Sequence, residues 1–289
     1  MRDEIKELNN ETRKFAGGSF IQLANDITHY ELSRNESGKV VVLVHGFSVP
    51  YFIYDPTFKF LTESGFRVLR YDLFGRGFSD RPHRDYNLDL FVNQLADLLD
   101  ALRFTQPVNL IGLSMGGLIA SAFTIRHPER VNKLVLIDPA GAKAITLSPI
   151  LNVVKKPLVA EAILSLVGNE RLIQFAAKDF FDPVFVEHFK TQYIVQMQFK
   201  GFRRALLSTI RSGMLDSFIH VYEALGKIDK PVLLFWGRED TTVPFEHNET
   251  LRAVLPNVEF HVIEKCGHIP HYEKPEIVNP ILLDFLRKA

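Results

Sequence analysis

The first long apolar run of the chain, Val40-Val41-Val42-Leu43-Val44, is continuous and mostly β-branched. That is the pattern of a strand buried on both faces of a parallel sheet. It stops at His45-Gly46-Phe47. Upstream, residues 1 to 14 predict a short polar helix or a loose arm, ended by Gly17-Gly18, and Ser19 to Leu23 with Ile27 to Leu32 predict a hairpin turned at Asn25-Asp26. Downstream, Tyr51 to Ser64 predicts a helix around Pro56, and Phe66 to Tyr71 a second strand ending at Asp72. Leu88, Phe91, Leu95, Leu98, Leu99 and Leu102 recur at the spacing of one helix face, which predicts a helix from Leu88 to Arg103. A strand over Pro107 to Leu113, a helix over Met115 to Arg126 and a strand over Val131 to Ile137 follow. Strands alternating with helices predict a mostly parallel, doubly wound α/β sheet. Ligands of such sheets sit at the carboxyl ends of the strands, where His45, Asp72, Ser114 and Asp138 all fall.

Between Asp138 and Asp229 the alternation lapses. Helical stretches dominate, and strands resume only at Pro231 to Trp236 and Val258 to Ile263, before a closing helix from Pro275 to Arg287. Residues 141–222 are therefore expected to form a helical cap inserted into a core made of residues 1–140 and 223–289. The insertion is rich in large apolar side chains, including Phe175, Phe180, Phe181, Phe185, Phe189, Tyr193, Met197, Phe199, Phe202, Met214 and Phe218. About three in four should hold the cap together and dock it, leaving the rest to line a pocket.

The stretch Gly112-Leu113-Ser114-Met115-Gly116-Gly117 is where an apolar strand breaks and becomes a helix. A strand that turns into a helix within one or two residues forces the corner residue into a strained conformation, so the positions two before and two after it must carry almost no side chain. Gly112 and Gly116 meet that need. Ser114 is then expected to project from the strand end, with the Met115 N–H at the positive end of the new helix.

Composition narrows the setting. The chain has 289 residues, 46% of them hydrophobic, long for one domain and short for two large ones. Lys plus Arg equals Asp plus Glu, at 34 each, so no global field invites nucleic acid or an acidic membrane surface. No apolar run reaches spanning length, and the charged opening residues Arg2-Asp3-Glu4 precede no leader-like apolar stretch. The single cysteine, Cys266, permits no internal disulfide and fits a reducing compartment. A cytoplasmic protein with a small-molecule partner, no nucleic-acid partner and no integral membrane span is expected. No cofactor is expected either. The histidines lack metal-ligand spacing such as H-E-x-x-H, and Gly75-Arg76-Gly77 lacks the third glycine of a dinucleotide cradle, where Asp80 stands.

Three strand-end loops then matter together: Ser114 after one strand, Asp240 in Gly237 to Pro244 after the strand Val232 to Trp236, and His268 after the last. A parallel sheet delivers all three to one edge. With His45-Gly46-Phe47, Asp72 to Ser79, the Gly112 to Gly117 elbow, Gly237 to Pro244 and Gly267-His268 in this order, the chain resembles the α/β-hydrolase superfamily, in its capped serine esterase or lipase-like branch. The resemblance runs from Val40 to the C-terminus. It implies the α/β-hydrolase fold and a catalytic triad of Ser114, His268 and Asp240.

The chemistry agrees with that assignment. A serine hydroxyl needs a base, and imidazole titrates near working pH; a carboxylate must orient the ring and stabilise its cation. The family pattern assigns the oxyanion hole to the backbone N–H groups of Phe47 and Met115. Glu239 and Asp138 compete with Asp240 for the acid, and His271 with His268 for the base, the family match favouring Asp240 and His268. His45 is read as structural, its ring holding the oxyanion loop, and Cys266 as a packed small residue.

A serine nucleophile implies acyl transfer to water. With the aromatic cap, the expected activity is cleavage of carboxylic esters of hydrophobic acyl or aryl groups through an acyl-serine intermediate, as in carboxylesterases or monoacylglycerol lipases. A carbon–carbon bond hydrolase of meta-ring-cleavage products is the alternative. Such relatives share the Ser-Met-Gly-Gly run but usually carry Asn where this chain has Leu113 and Trp where it has Ile269. A ligand-binding receptor of the same fold is the alternative from another class.

Overall fold

The computed structural model describes residues 4–24, 26–145 and 168–288. Eight strands form one sheet: β1 (Ser19–Leu23), β2 (Asp26–Leu32), β3 (Val40–Val44), β4 (Arg67–Tyr71), β5 (Val108–Leu113), β6 (Val131–Ile137), β7 (Val232–Gly237) and β8 (Glu259–Ile263). Their spatial order is β1-β2-β4-β3-β5-β6-β7-β8. The hairpin β1–β2 and its junction with β4 are antiparallel, and every pair from β4 to β8 is parallel.

The described α-helices are α1 (Asn10–Arg13), α2 (Asp55–Glu63), α3 (Leu88–Ala101), α4 (Met115–Arg126), α5 (Asn169–Ala177), α6 (Val186–Met197), α7 (Phe202–Arg211), α8 (Ile219–Leu225), α9 (His247–Val254), α10 (Pro270–Glu273) and α11 (Pro275–Arg287). The expected helix over Tyr51 to Ser64 is a 3₁₀ turn at Tyr51–Tyr54 followed by α2. Pro56 stands in the first turn of α2, where its missing N–H costs nothing.

The alternation of side chains along the central strands explains the two layers. Val42, Val44, Leu110, Leu134, Leu136, Leu234 and Trp236 face a core closed by α3 and α4. Val41, Leu43, Ile111, Leu113, Val135, Ile137, Leu233 and Phe235 face the opposite core, closed by α2 and α11. Successive residues of a strand point to opposite faces, so a run apolar at every position serves both layers. The six residues of β5 are all buried.

Of the expected cap, residues 146–167 lie outside the described residues. Among the remainder, Phe189, Tyr193, Met197 and Phe202 are buried in the same core as Leu113 and Ile137, whereas Phe175 and Phe181 are about half exposed, at 52% and 49%. The helix α8 crosses position 222 and packs beside α4.

The N-terminal arm grips this insertion. Lys6 N–H donates to Gln198 O and Lys200 N–H to Lys6 O, both at 2.9 Å. The Glu4 carboxylate accepts the N–H groups of Gly201 and Arg203, each at 2.8 Å, so the arm caps the first turn of α7 from far away in the chain.

Candidate active site

Parallel pairing of β3, β5, β6, β7 and β8 brings five carboxyl-terminal loops to one edge. Ser114 sits at the corner between β5 and α4 with φ 55 and ψ −121, a region that L-residues enter only when the surroundings impose it. The surroundings here are backbone. A Cβ on Gly116 would stand 2.1 Å from Val44 O, and one on Gly112 would stand 2.4 Å from Gly116 O. Only glycine permits so close an approach of strand and helix. Ser114 N–H donates to Ile137 O at 2.9 Å and its carbonyl accepts from Gly117 and Ala140, so neighbouring strands and α4 hold the corner in place.

The Gly46-Phe47 loop closes over this serine: a Cβ on Gly46 would lie 3.2 Å from Ser114 Cβ and 3.7 Å from its Oγ. Among the described residues neither the Phe47 N–H nor the Met115 N–H has a hydrogen-bond acceptor. Unengaged N–H donors can meet a developing negative charge. His45 supports the loop from behind. Its Nε2 accepts the Leu73 N–H at 2.9 Å, which leaves the proton on Nδ1 for the Gly46 carbonyl, also at 2.9 Å. Burial lowers this imidazole to about 4, so it stays neutral and acts as a strut.

On the far side, His268 Nδ1 lies 2.7 Å from Asp240 Oδ2. The other Asp240 oxygen accepts the N–H groups of Thr242 and Val243 at 2.8 and 3.0 Å, which fixes the carboxylate plane. Burial works against the His268 cation, but the Asp240 charge and hydrogen bond, with Asp179 behind them, outweigh it and raise the imidazole above its ordinary range. Glu239 faces elsewhere and accepts the Cys266 N–H at 2.8 Å. His271 is buried, packs its ring at a tilt against Tyr54 and is lowered to about 3 by that burial.

Among the described residues the Ser114 hydroxyl makes no hydrogen bond, His268 included. Serine and histidine are thus brought to one edge without being joined, and such contacts commonly tighten only when a substrate seats.

Asp138, also at this edge, accepts the Gly237 N–H through Oδ1 at 2.8 Å. Its Oδ2 is buried without a donor. Burial first, and then the neighbouring Asp240 charge, push this carboxyl well above the usual range.

Asp138, Asp240 and His268 offer ligand atoms within 4.8 Å of one another, a spacing that could hold a cation. The His268 Nδ1 and both Asp240 oxygens are already spent on each other and on backbone amides, so these atoms are committed to hydrogen bonds.

Four further residues shape the site. Asp179 receives the His268 N–H on its carbonyl at 2.7 Å and the Thr242 hydroxyl on its carboxylate at 2.6 Å; burial raises that carboxyl to about 6, against the opposing pull of His268. Glu273 accepts the N–H groups of Gly267, Phe181 and Asp182, pinning the His268 loop to the insertion. Arg76 and Gln196 contact the Phe47-Ser48 segment. None of these was singled out by spacing, because each acts across a long stretch of chain with no motif around it.

The model of the alpha/beta hydrolase family matches residues 41–281. A 2-hydroxy-6-oxo-6-phenylhexa-2,4-dienoate hydrolase from Comamonas testosteroni is 30% identical over 298 residues, covering 96% of this chain and 97% of the relative. A 2-hydroxy-6-oxononadienedioate/2-hydroxy-6-oxononatrienedioate hydrolase from Klebsiella pneumoniae is 32% identical over 241 residues, 79% of each chain. The structure of a meta-cleavage product hydrolase from Pseudomonas fluorescens IP01 superposes with a TM-score of 0.78 at 24% identity, over 93% of this chain and 97% of its own. That superposition establishes the shared fold. With the family model spanning most of its length and a relative matching it almost end to end, the chain belongs to the alpha/beta hydrolase family.

Proposed function

We propose that this hydrolase cleaves a carbon–carbon bond in a 2-hydroxy-6-oxo-dienoate of the kind produced by meta-cleavage of an aromatic ring, with Ser114 as nucleophile, His268 as base and Asp240 as orienting acid. The observation that carries the reading is the near end-to-end match to a dienoate hydrolase. The chemistry is consistent with the site. Transfer of the 2-hydroxyl proton to C5 turns the dienol into a 2,6-diketone. Ser114 Oγ adds to the C6 carbonyl as His268 takes its proton, and the oxyanion is met by the Phe47 and Met115 N–H groups. The C5–C6 bond then breaks, its electron pair delocalising through the enone to the C2 oxygen, and His268 returns the proton. Water activated by His268 releases the acyl group as a carboxylic acid. The helices of residues 141–222 would form the cap that shapes the pocket.

A product analysis in ¹⁸O-labelled water tests this. The reading expects a 2-hydroxypenta-2,4-dienoate and a carboxylic acid carrying label from the water. A dienoate left unconsumed by active protein would exclude it.

Carboxylic ester hydrolysis is the second reading, favoured by Leu113 and Ile269. Both are apolar and buried, at 4% and 1% exposure, directly beside Ser114 and His268. The Asn and Trp that ring-cleavage relatives usually carry at these positions are replaced here by groups with no hydrogen-bonding capacity, which suits a plain acyl or aryl ester. Either substrate calls for the same acyl-Ser114 step.

A further inference from the structure

The turn Asp72 to Ser79 has no part in the triad, yet it holds the most buried cation of the site's surroundings. Arg76 is fully buried. Its Nε donates to Phe47 O at 2.7 Å, its Nη1 to Phe74 O at 3.2 Å, and its Nη2 to the Thr209 hydroxyl of α7 at 2.9 Å. The guanidinium also stands over the Phe47 ring, 5.5 Å from its centroid. All three acceptors are neutral. Among the described residues Arg76 has no carboxylate partner, and a buried cation so placed is expensive, so its retention here points to a task.

Gln196, on α6 and 1% exposed, touches the next residue of the same loop. Its amide nitrogen donates to Ser48 O at 2.8 Å, and its amide oxygen accepts the Gly77 N–H at 3.0 Å. One side chain of the insertion thus bridges the oxyanion loop and the Arg76 turn. The peptide units on either side of Ser48 are gripped by groups that belong to, or lean on, α6 and α7.

We propose that Arg76 and Gln196 are positioning residues that clamp the Phe47-Ser48 segment so that the Phe47 N–H faces Ser114, and that this placement depends on the docking of α6 and α7. The inference rests on the serine-hydrolase reading above. The buried guanidinium also adds positive potential behind the loop, where a tetrahedral oxyanion would form. Binding of substrate against α6 or α7 therefore feeds directly into transition-state stabilisation.

The test compares Gln196→Met, Arg76→Met and the near-isosteric Thr209→Val, with folding followed by circular dichroism. Each is assayed for kcat and KM. Each is also titrated with a trifluoromethyl ketone, which forms a tetrahedral adduct at Ser114, and with the unreactive methyl ketone of the same shape. The clamp predicts that Gln196→Met and Arg76→Met lose about ten- to a hundredfold in kcat and a similar factor in trifluoromethyl ketone affinity. KM and methyl ketone affinity should stay within about threefold. Thr209→Val should show a smaller loss of the same kind, and with Gln196→Met it carries the test if Arg76→Met does not fold. Unchanged kcat and adduct affinity in folded variants, or losses confined to KM and to the methyl ketone, overturn the clamp. A wild-type protein that forms no adduct at Ser114 overturns the serine-hydrolase reading itself, which separates the two failures.

Discussion

His268 Nδ1 and Asp240 Oδ2 lie 2.7 Å apart, and the Asp138 carboxyl, whose pKa burial and the Asp240 charge raise, has an oxygen within 4.8 Å of the ligand atoms of both. Of the two acids, Asp240 alone hydrogen bonds the imidazole; Asp138 accepts the Gly237 N–H instead.

Asp240→Asn should lower kcat by about 10³ to 10⁴, since an amide favours the wrong imidazole tautomer. The pH profile should move with it. His268 must be neutral to act as base, and Asp240 raises its pKa against the opposing effect of burial. In the wild type kcat/KM should rise with pH through a value above the ordinary 6.5; in the variant the residual activity should rise at lower pH. A pH–rate profile of both proteins checks the sign.

Asp138→Asn should stay within about tenfold of wild-type activity, because among the described residues Asp138 makes no hydrogen bond to His268 or Asp240, and an amide oxygen can still accept the Gly237 N–H. Its stability should respond differently to pH. Asp138 is raised in the folded protein above its ordinary 3.8, so its contribution is complete below that value and is lost as pH climbs toward the folded pKa. The variant lacks this loss. Melting temperatures at acidic, neutral and alkaline pH should show a flatter curve for Asp138→Asn, with its relative advantage largest at alkaline pH.

Ser114→Gly should abolish turnover, on the order of a millionfold in kcat, while making the protein more stable by about 1–2 kcal/mol. The serine holds φ 55 and ψ −121, a conformation that costs an L-residue about 1–3 kcal/mol and costs glycine far less. Urea denaturation of the two proteins measures the difference. Equal stabilities would mean the elbow stores no strain.

Glu4→Ala should destabilise by about 1–2 kcal/mol, the scale of a lost helix cap with its charge. Glu4 holds the first-turn N–H groups of Gly201 and Arg203 and lies away from Ser114 in the described contacts. Denaturation midpoint and kcat measured on the same preparation should show the first falling and the second nearly unchanged.

Periodicity carried much of the fold. The run Val40 to Val44, the helix Met115–Arg126 and the strand Val131–Ile137 form at the expected residues, because local pattern and tertiary burial demand the same thing there. The helix α9 was not legible: His247–Val254 has few apolar positions, with Leu251 buried in the core and Val254 packed partly against it. The elbow was legible because its glycines are a steric requirement written in the sequence. Asp179, Glu273, Arg76 and Gln196 were not, since their roles come from contacts between the insertion and the core, which no spacing encodes. Reaction choice is similar. Ester and carbon–carbon cleavage share one serine, one base and one oxyanion loop, so the motifs alone favoured the commoner ester chemistry, while the relatives' named reactions support the ring-cleavage alternative better.

That choice is settled most directly by one comparison of kcat/KM: 2-hydroxy-6-oxo-6-phenylhexa-2,4-dienoate, followed by loss of its diene absorbance, against p-nitrophenyl benzoate, which presents the same benzoyl group. The account predicts that the dienoate is preferred by at least about tenfold, more than about 1.4 kcal/mol of transition-state discrimination, and that Ser114→Ala abolishes both reactions. Rapid ester hydrolysis with the dienoate untouched would contradict it.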